Sequence, residues 1–170
     1  MSGAGRVRVV AGRKNVTREL LMRRVAAAFE RGDLDPLFCA IDENIVWKSA
    51  VTIGGSFSFG GVYNKVDGVV ELMSGITTEY FFRKFRPREI FSSTEMIWGL
   101  FDVQGEYRPL GVGFGRPFEY ECAIHWRVKG KKIIEHQTFF DTNSLLRQQS
   151  VGLPTRFRRF AVQPRPQLRG

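Results

Sequence analysis

"KKIIEHQTFFDTNSLLRQ", residues 131–148, is the stretch on which the fold turns. Successive strand residues point to opposite faces, which puts His136, Thr138 and Phe140 on one side and Glu135, Gln137 and Asp141 on the other. The acid, imidazole, acid series is therefore not a catalytic row, because Glu135 faces away from His136. Asp141 and Thr142 then stand before "NSLLRQQ", where a side-chain oxygen can close the first turn of a helix. The stretch reads as a strand running into a capped helix, which Pro154 brings to an end.

Outward from this stretch, "VKGKK" (128–132) reads as a hairpin, with Gly130 supplying the positive φ of the turn. Three further strand candidates precede it with period two: "FEYECAIHWRV" (118–128), "EMIWGLFDVQG" (95–105) and "RKFRPREIFSS" (83–93). The glycine-bearing connection "QGEYRPLGVGFGRP" (104–117) is a rim or a lid. Upstream the period changes. "KVDGVVELMSGITTEYF" (65–81) gives a helix with Val69, Leu72, Met73 and Ile76 on one face, and "GGSFSFGGVYN" (54–64) a glycine-rich loop with a short extended piece. "NIVWKSA" (44–50) is a strand, and "LDPLFCAI" (34–41) a short helix with Asp33 as cap and Pro36 in its first turn. The first helix is "NVTRELLMRRVAAAFERGD" (15–33), with Leu20, Leu21, Arg24, Val25, Ala28 and Phe29 at helical spacing, Asn15 or Thr17 as cap and Gly32 as stop. Helices first and a long, curved antiparallel sheet after them make an α+β plan.

The chain is long enough for one domain with a sizeable core, 43% hydrophobic and holding 15 Phe. Cys39 and Cys122 lack metal or C-x-x-C spacing and suit a reducing, cytoplasmic setting. No apolar run approaches the roughly 20 residues of a membrane span. The acid-free, Arg-bearing start has at most the composition of a weak transit peptide. The net charge of +9 sits at the ends: Arg6, Arg8, Arg13 and Lys14 in an arm over 1–14, and Arg156, Arg158, Arg159, Arg165 and Arg169 in a tail over 154–170. The body over 15–153 is neutral, which argues against nucleic acid as its partner. The tail alone, interleaving Arg with Phe157 and Phe160, has the composition of a phosphate- and base-binding segment, although a solvated or self-docked tail satisfies the same pattern.

The order of these elements resembles the SnoaL-like branch of the nuclear transport factor 2-like superfamily, and with it ketosteroid isomerases and limonene-epoxide hydrolases. The likeness covers residues 17–149 and rests on Gly32-Asp33, Asp42 to Trp47, Gly60-Gly61, and Lys132-Ile133-Ile134 leading to Phe140-Asp141. It implies a cone, or cystatin-like α+β barrel, whose sheet wraps an apolar pocket plugged by helices. It places the isomerase's general base at Lys48, its oxyanion-hole tyrosine at Val25 and its oxyanion-hole acid at Ile124, none of them retained. The hydrolase's catalytic Asp falls on Thr138. A hydroxyl cannot replace that carboxylate, and Val25 and Ile124 donate no hydrogen bond.

With Thr138 on the pocket side, parity implies that His136 and Phe140 look inward. Ile124 brings Phe118, Tyr120, Cys122 and Trp126, and Lys48 joins from the first strand with Val46. Such a lining, apolar with a few polar groups, is that of a small-molecule site. His136 is the candidate to move a proton; the alternative is a core histidine satisfied by Tyr120, Thr138 or a carbonyl. Lys48 either forms an imine, acts as base, holds an anion, or snorkels to water. Asp102 partners His136 only if the even residues of its strand, Trp98 and Leu100 among them, line the cavity. His125, with Glu119, Glu121, Arg127, Glu135 and Gln137, belongs to the outer face and suits a homodimer contact there. No three ligands converge for a metal, and no cofactor is implied. Two function classes follow: a cofactor-independent isomerase, cyclase, dehydratase or hydrolase using His136, Lys48 and Tyr120, with Thr138 orienting the substrate; or a noncatalytic ligand-binding or adaptor domain. Polar groups in an apolar pocket favour the first; the missing carboxylate favours the second.

Overall fold

The computed structural model describes residues 13–49, 59–109 and 115–150. The arm up to residue 12, the tail from 154 and the glycines at 54, 55, 111 and 113 lie outside the described residues. The elements run α1 (Arg13–Glu30), α2 (Asp35–Ala40), β1 (Ile41–Ser49), β2 (Gly61–Asn64), α3 (Lys65–Glu79), β3 (Tyr80–Ser92), β4 (Met96–Tyr107), β5 (Arg116–Lys129), β6 (Lys132–Phe140) and α4 (Thr142–Ser150).

Helix α1 starts two residues before the expected cap, so Asn15 and Thr17 lie inside it. Its inward stripe is Met22, Val25, Ala26 and Phe29, while Leu20 is 59% exposed. The stripe is set by what the helix lies on: a Cβ on Gly99 of β4 would stand 2.6 Å from Met22 Sδ, so that glycine lets the helix approach. Gly32 ends α1 at φ +76°, its N–H donating to Phe29 O and that of Asp33 to Ala28 O. Asp33 Oδ1 then accepts from Asp35 N at 3.1 Å, which starts α2 with Pro36 in its first turn. In α3 the buried face is Val69, Leu72 and Met73. The helix stops at Glu79, so Tyr80 and Phe81 begin β3.

The sheet has the order β2-β1-β6-β5-β4-β3. Every neighbouring pair is antiparallel except β1–β6, which is parallel. The expected antiparallel sheet is thus mixed, because the chain reaches β6 only after α3 and three more strands and no hairpin dictates its direction relative to β1. Gly130, at φ +62°, makes the β5–β6 turn. The helices cover one face, where Ile97, Phe101 and Val103 of β4 and Phe118, Cys122, Ile124 and Trp126 of β5 are buried.

Two polar clamps hold helix ends to the sheet. Glu30 of α1 accepts from Phe85 N at 2.9 Å and from Arg86 Nε at 3.1 Å, engaging a backbone donor of the edge strand β3. Gln148 of α4 pairs with the backbone of Glu119, its Oε1 accepting at 2.8 Å and its Nε2 donating at 2.9 Å. The α4 start is capped as the sequence predicts, with Ser144 N donating to Asp141 Oδ1 at 3.0 Å.

Candidate functional site

Between the covered face of the sheet and the helices lies a cavity of about 90 Å³. Helices α1 and α3 supply Val25, Phe29, Met73 and Ile76, and β3 supplies Phe82 and Phe85. The even residues of β5 (Tyr120, Cys122, Ile124, Trp126) and of β6 (His136, Thr138, Phe140) complete the wall with Trp47 and Ser49 of β1, Leu37 of α2 and Phe59. The polar side chains on it are Ser49, Tyr120, His136 and Thr138. No Asp, Glu, Lys or Arg faces the cavity among the described residues.

The predicted parity of β5 and β6 matches this wall apart from Phe118, and that of β1 does not; β4, whose parity the sequence leaves open, turns its odd residues inward. Lys48 is not a pocket residue. Ile41, Ile45, Trp47 and Ser49 are the buried positions of β1, so Val46 and Lys48 point to the outer face, where Lys48 Nζ meets Glu135 Oε1 at 2.6 Å. Ile45 and Trp47 alternate with Lys48 and make the apolar face of the strand, whereas the resemblance implies a pocket place for the lysine. Asp102 is also on the outer face, 3.2 Å from Lys84 Nζ and 3.7 Å from Arg88 Nη1, because Phe101 and Val103 are the buried neighbours on β4. Phe118 is buried on the inner face but packs on Tyr80 and Phe82, beside the cavity rather than on it. Trp47, Ser49 and the phenylalanines from α1 and β3 were not foreseen. The phenylalanines reach the cavity from separate elements, whose contacts leave no mark in strand alternation.

His136 is the polar centre of the wall, 3% exposed. Its Nδ1 accepts from Trp126 Nε1 at 2.9 Å, and its Nε2 is 2.6 Å from Thr138 Oγ1. Trp47 covers the ring face, with centroids 3.5 Å apart and planes 7° from parallel. Burial, and secondarily the charge of His125, hold the imidazole well below 6.5, so it is neutral at pH 7. Burial pushes the Tyr120 phenol well above 10 and the Cys122 thiol up to about 12. Every titratable group on the wall is therefore uncharged near neutrality. Among the described residues no three His, Cys, Asp or Glu converge to hold a metal.

On the outer face, Glu135 joins Lys48 and Arg127, the latter at 3.2 Å, and the Lys48 hydrogen bond first of all lowers its carboxyl pKa. His125 packs at a tilt on Trp98, ring centroids 4.5 Å apart, and its Nε2 is buried without a hydrogen-bond partner among the described residues. Desolvation lowers its pKa despite Glu135 nearby.

A six-stranded curved sheet packed against helices over an apolar cavity is the nuclear transport factor 2-like fold, and this chain has it. Among solved structures it is similar to a nuclear transport factor 2-like protein of unknown function from Burkholderia pseudomallei, at 23% identity and TM-score 0.66, over 76% of this chain and 95% of that one. It is also similar to TerC co-crystallized with polyporic acid, at 16% identity and TM-score 0.63, over 76% and 97% of the two chains. A third is a hypothetical protein with a ketosteroid isomerase-like fold from Catenulispora acidiphila in complex with trimethylamine, at 15% identity and TM-score 0.62, over 79% and 93%. No protein-family model matches the chain, and no curated protein does. Among the described residues no helix is long and apolar enough to cross a membrane.

Proposed function

We propose that this chain is a SnoaL-like domain that binds a small, neutral, mostly apolar, oxygenated molecule in its cavity, without running the acid–base reactions of the isomerases and hydrolases it resembles. The observation that carries this reading is the composition of the wall, apolar apart from Ser49, Tyr120, His136 and Thr138 and free of carboxylates among the described residues. A proton abstraction needs a group with an available lone pair at the reacting atom. Both nitrogens of His136 are already engaged by Trp126 and Thr138, and Lys48 is on the far side of the sheet. Neighbours of this fold hold trimethylamine and polyporic acid, which supports a small molecule as the occupant.

Native mass spectrometry of the protein as purified, followed by thermal shift with neutral cyclic ketones and lactones and with carboxylate and ammonium counterparts, tests the reading. A retained neutral molecule, or a rise in Tm with the neutral set alone, is expected. Stabilisation by the charged set alone, or by none, overturns it.

The partner implied by the outer face is a second copy of the chain. Trp98 and Phe139 remain 38% and 44% exposed beside His125 Nε2, which has no hydrogen-bond partner among the described residues, and a two-fold contact would cover both aromatic rings at once.

A further inference from the structure

We infer that Thr138 is the ligand-facing hydrogen-bond donor of the cavity, its proton turned there by a one-way chain from the Trp126 indole through His136, so that the site selects neutral molecules bearing an acceptor oxygen, carbonyls above all. The inference rests on the cavity being a ligand site. Its direction comes from the donor inventory. An indole nitrogen only donates, and Trp126 Nε1 lies 2.9 Å from His136 Nδ1. Nδ1 must therefore present its lone pair, and the one proton of the neutral ring sits on Nε2. An imidazolium would set N–H against N–H at that contact.

Nε2–H in turn donates to Thr138 Oγ1, 2.6 Å away. The hydroxyl, having accepted from the ring, finds no lone pair there for its own proton. Thr138 is half-buried and lines the cavity, and no other hydrogen bond engages its Oγ1 among the described residues. Its proton is thus free for a guest. The Trp47 stack fixes the ring plane in which the chain runs. An acceptor oxygen gains this bond, whereas a hydrocarbon of the same shape leaves the hydroxyl unpaired. A charged guest would meet no counter-charge on the wall.

The test uses the full chain with ¹⁵N-labelled histidine and two isosteric probes, cyclohexanone and methylenecyclohexane. NMR should report the Nε2–H tautomer for His136, and cyclohexanone should bind about tenfold more tightly, the worth of one neutral hydrogen bond. Thr138→Val should reduce the preference to less than about twofold, while Thr138→Ser retains it. Trp126→Phe, which frees Nδ1 to carry the proton, should lose the preference together with the tautomer, whatever it does to the shape of the cavity. An Nδ1–H tautomer in the parent protein, or a preference that survives Thr138→Val, overturns the inference. Equal binding of both probes with the Nε2–H tautomer in place overturns the selectivity but leaves the ligand site standing. Failure of both probes to bind overturns the ligand site and the selectivity with it.

Discussion

The Trp47 indole lies flat on the His136 imidazole, with ring centroids 3.5 Å apart. The contact follows from the parallel pairing of β1 and β6, whose register sets these two residues side by side. It also keeps water from one face of a ring whose two nitrogens are already engaged.

A histidine buried neutral makes folding pH-dependent in a definite sense. Above about 6.5 neither state is protonated at this ring; below it the unfolded chain binds a proton that the folded chain refuses. Stability should therefore fall as pH drops below about 6.5 and keep falling until the depressed folded value is reached. His125, also lowered, adds to the same slope. His136→Phe should cost about 1–3 kcal/mol at pH 8, because it orphans the Trp126 N–H and the Thr138 hydroxyl, yet the variant should show a shallower loss between pH 7 and 5. Urea unfolding across that range is the measurement, and an unchanged slope would show that His136 does not carry it.

Lys48 offers a sharper contrast between the sequence reading and the fold. With its ammonium paired to Glu135 on the outer face and the side chain 39% exposed, Lys48→Met should change stability by no more than about 1 kcal/mol. Affinity for a cavity probe such as cyclohexanone should not change. A large loss of affinity would mean that the lysine reaches the ligand.

The elements and their order were legible because each carries its own period: 3.6 in α1 and α3, two in β3 to β6, with Gly32, Gly130 and Asp141 marking ends by local backbone chemistry. Half of the site was legible for the same reason, since the parity of β6 places His136 with Thr138. The remainder was not. Parity says which residues share a face but not which face is covered, and in β1 the choice between Trp47 and Lys48 was made by analogy. In β4 alternation alone leaves the choice open, and Asp102 lies on the solvent side. The hydrogen bond from Trp126 to His136 joins positions ten apart on two strands and depends on cross-strand register, Trp126 opposite His136, which only the completed sheet defines.

Two glycines in β4 separate a flexible constraint from a rigid one. A Cβ at Gly99 would press on Met22 Sδ at 2.6 Å and the Phe101 ring at 2.5 Å, both ends of side chains that can move. At Gly105 it would collide with the backbone oxygen of Phe81, which cannot withdraw without breaking the β3–β4 pairing. Both Ala variants should destabilise by about 1–3 kcal/mol, with Gly105→Ala the worse. Denaturant midpoints in the reverse order would contradict this account of β4.

Trp98 packs on both His125 and Phe139, forming an exposed aromatic patch beside the Lys48–Glu135–Arg127 cluster. If two copies meet there, a charge placed in the patch is buried opposite its own symmetry mate, and like charges repel across a two-fold axis. Phe139→Glu should convert a dimer to a monomer in light scattering after gel filtration, while far-ultraviolet circular dichroism stays that of the parent. Phe81→Glu, at a still more exposed ring on the edge strand β3, is the control and should leave the mass unchanged. A monomeric parent protein, or a dimer indifferent to Phe139→Glu, would remove the outer face as the pairing surface.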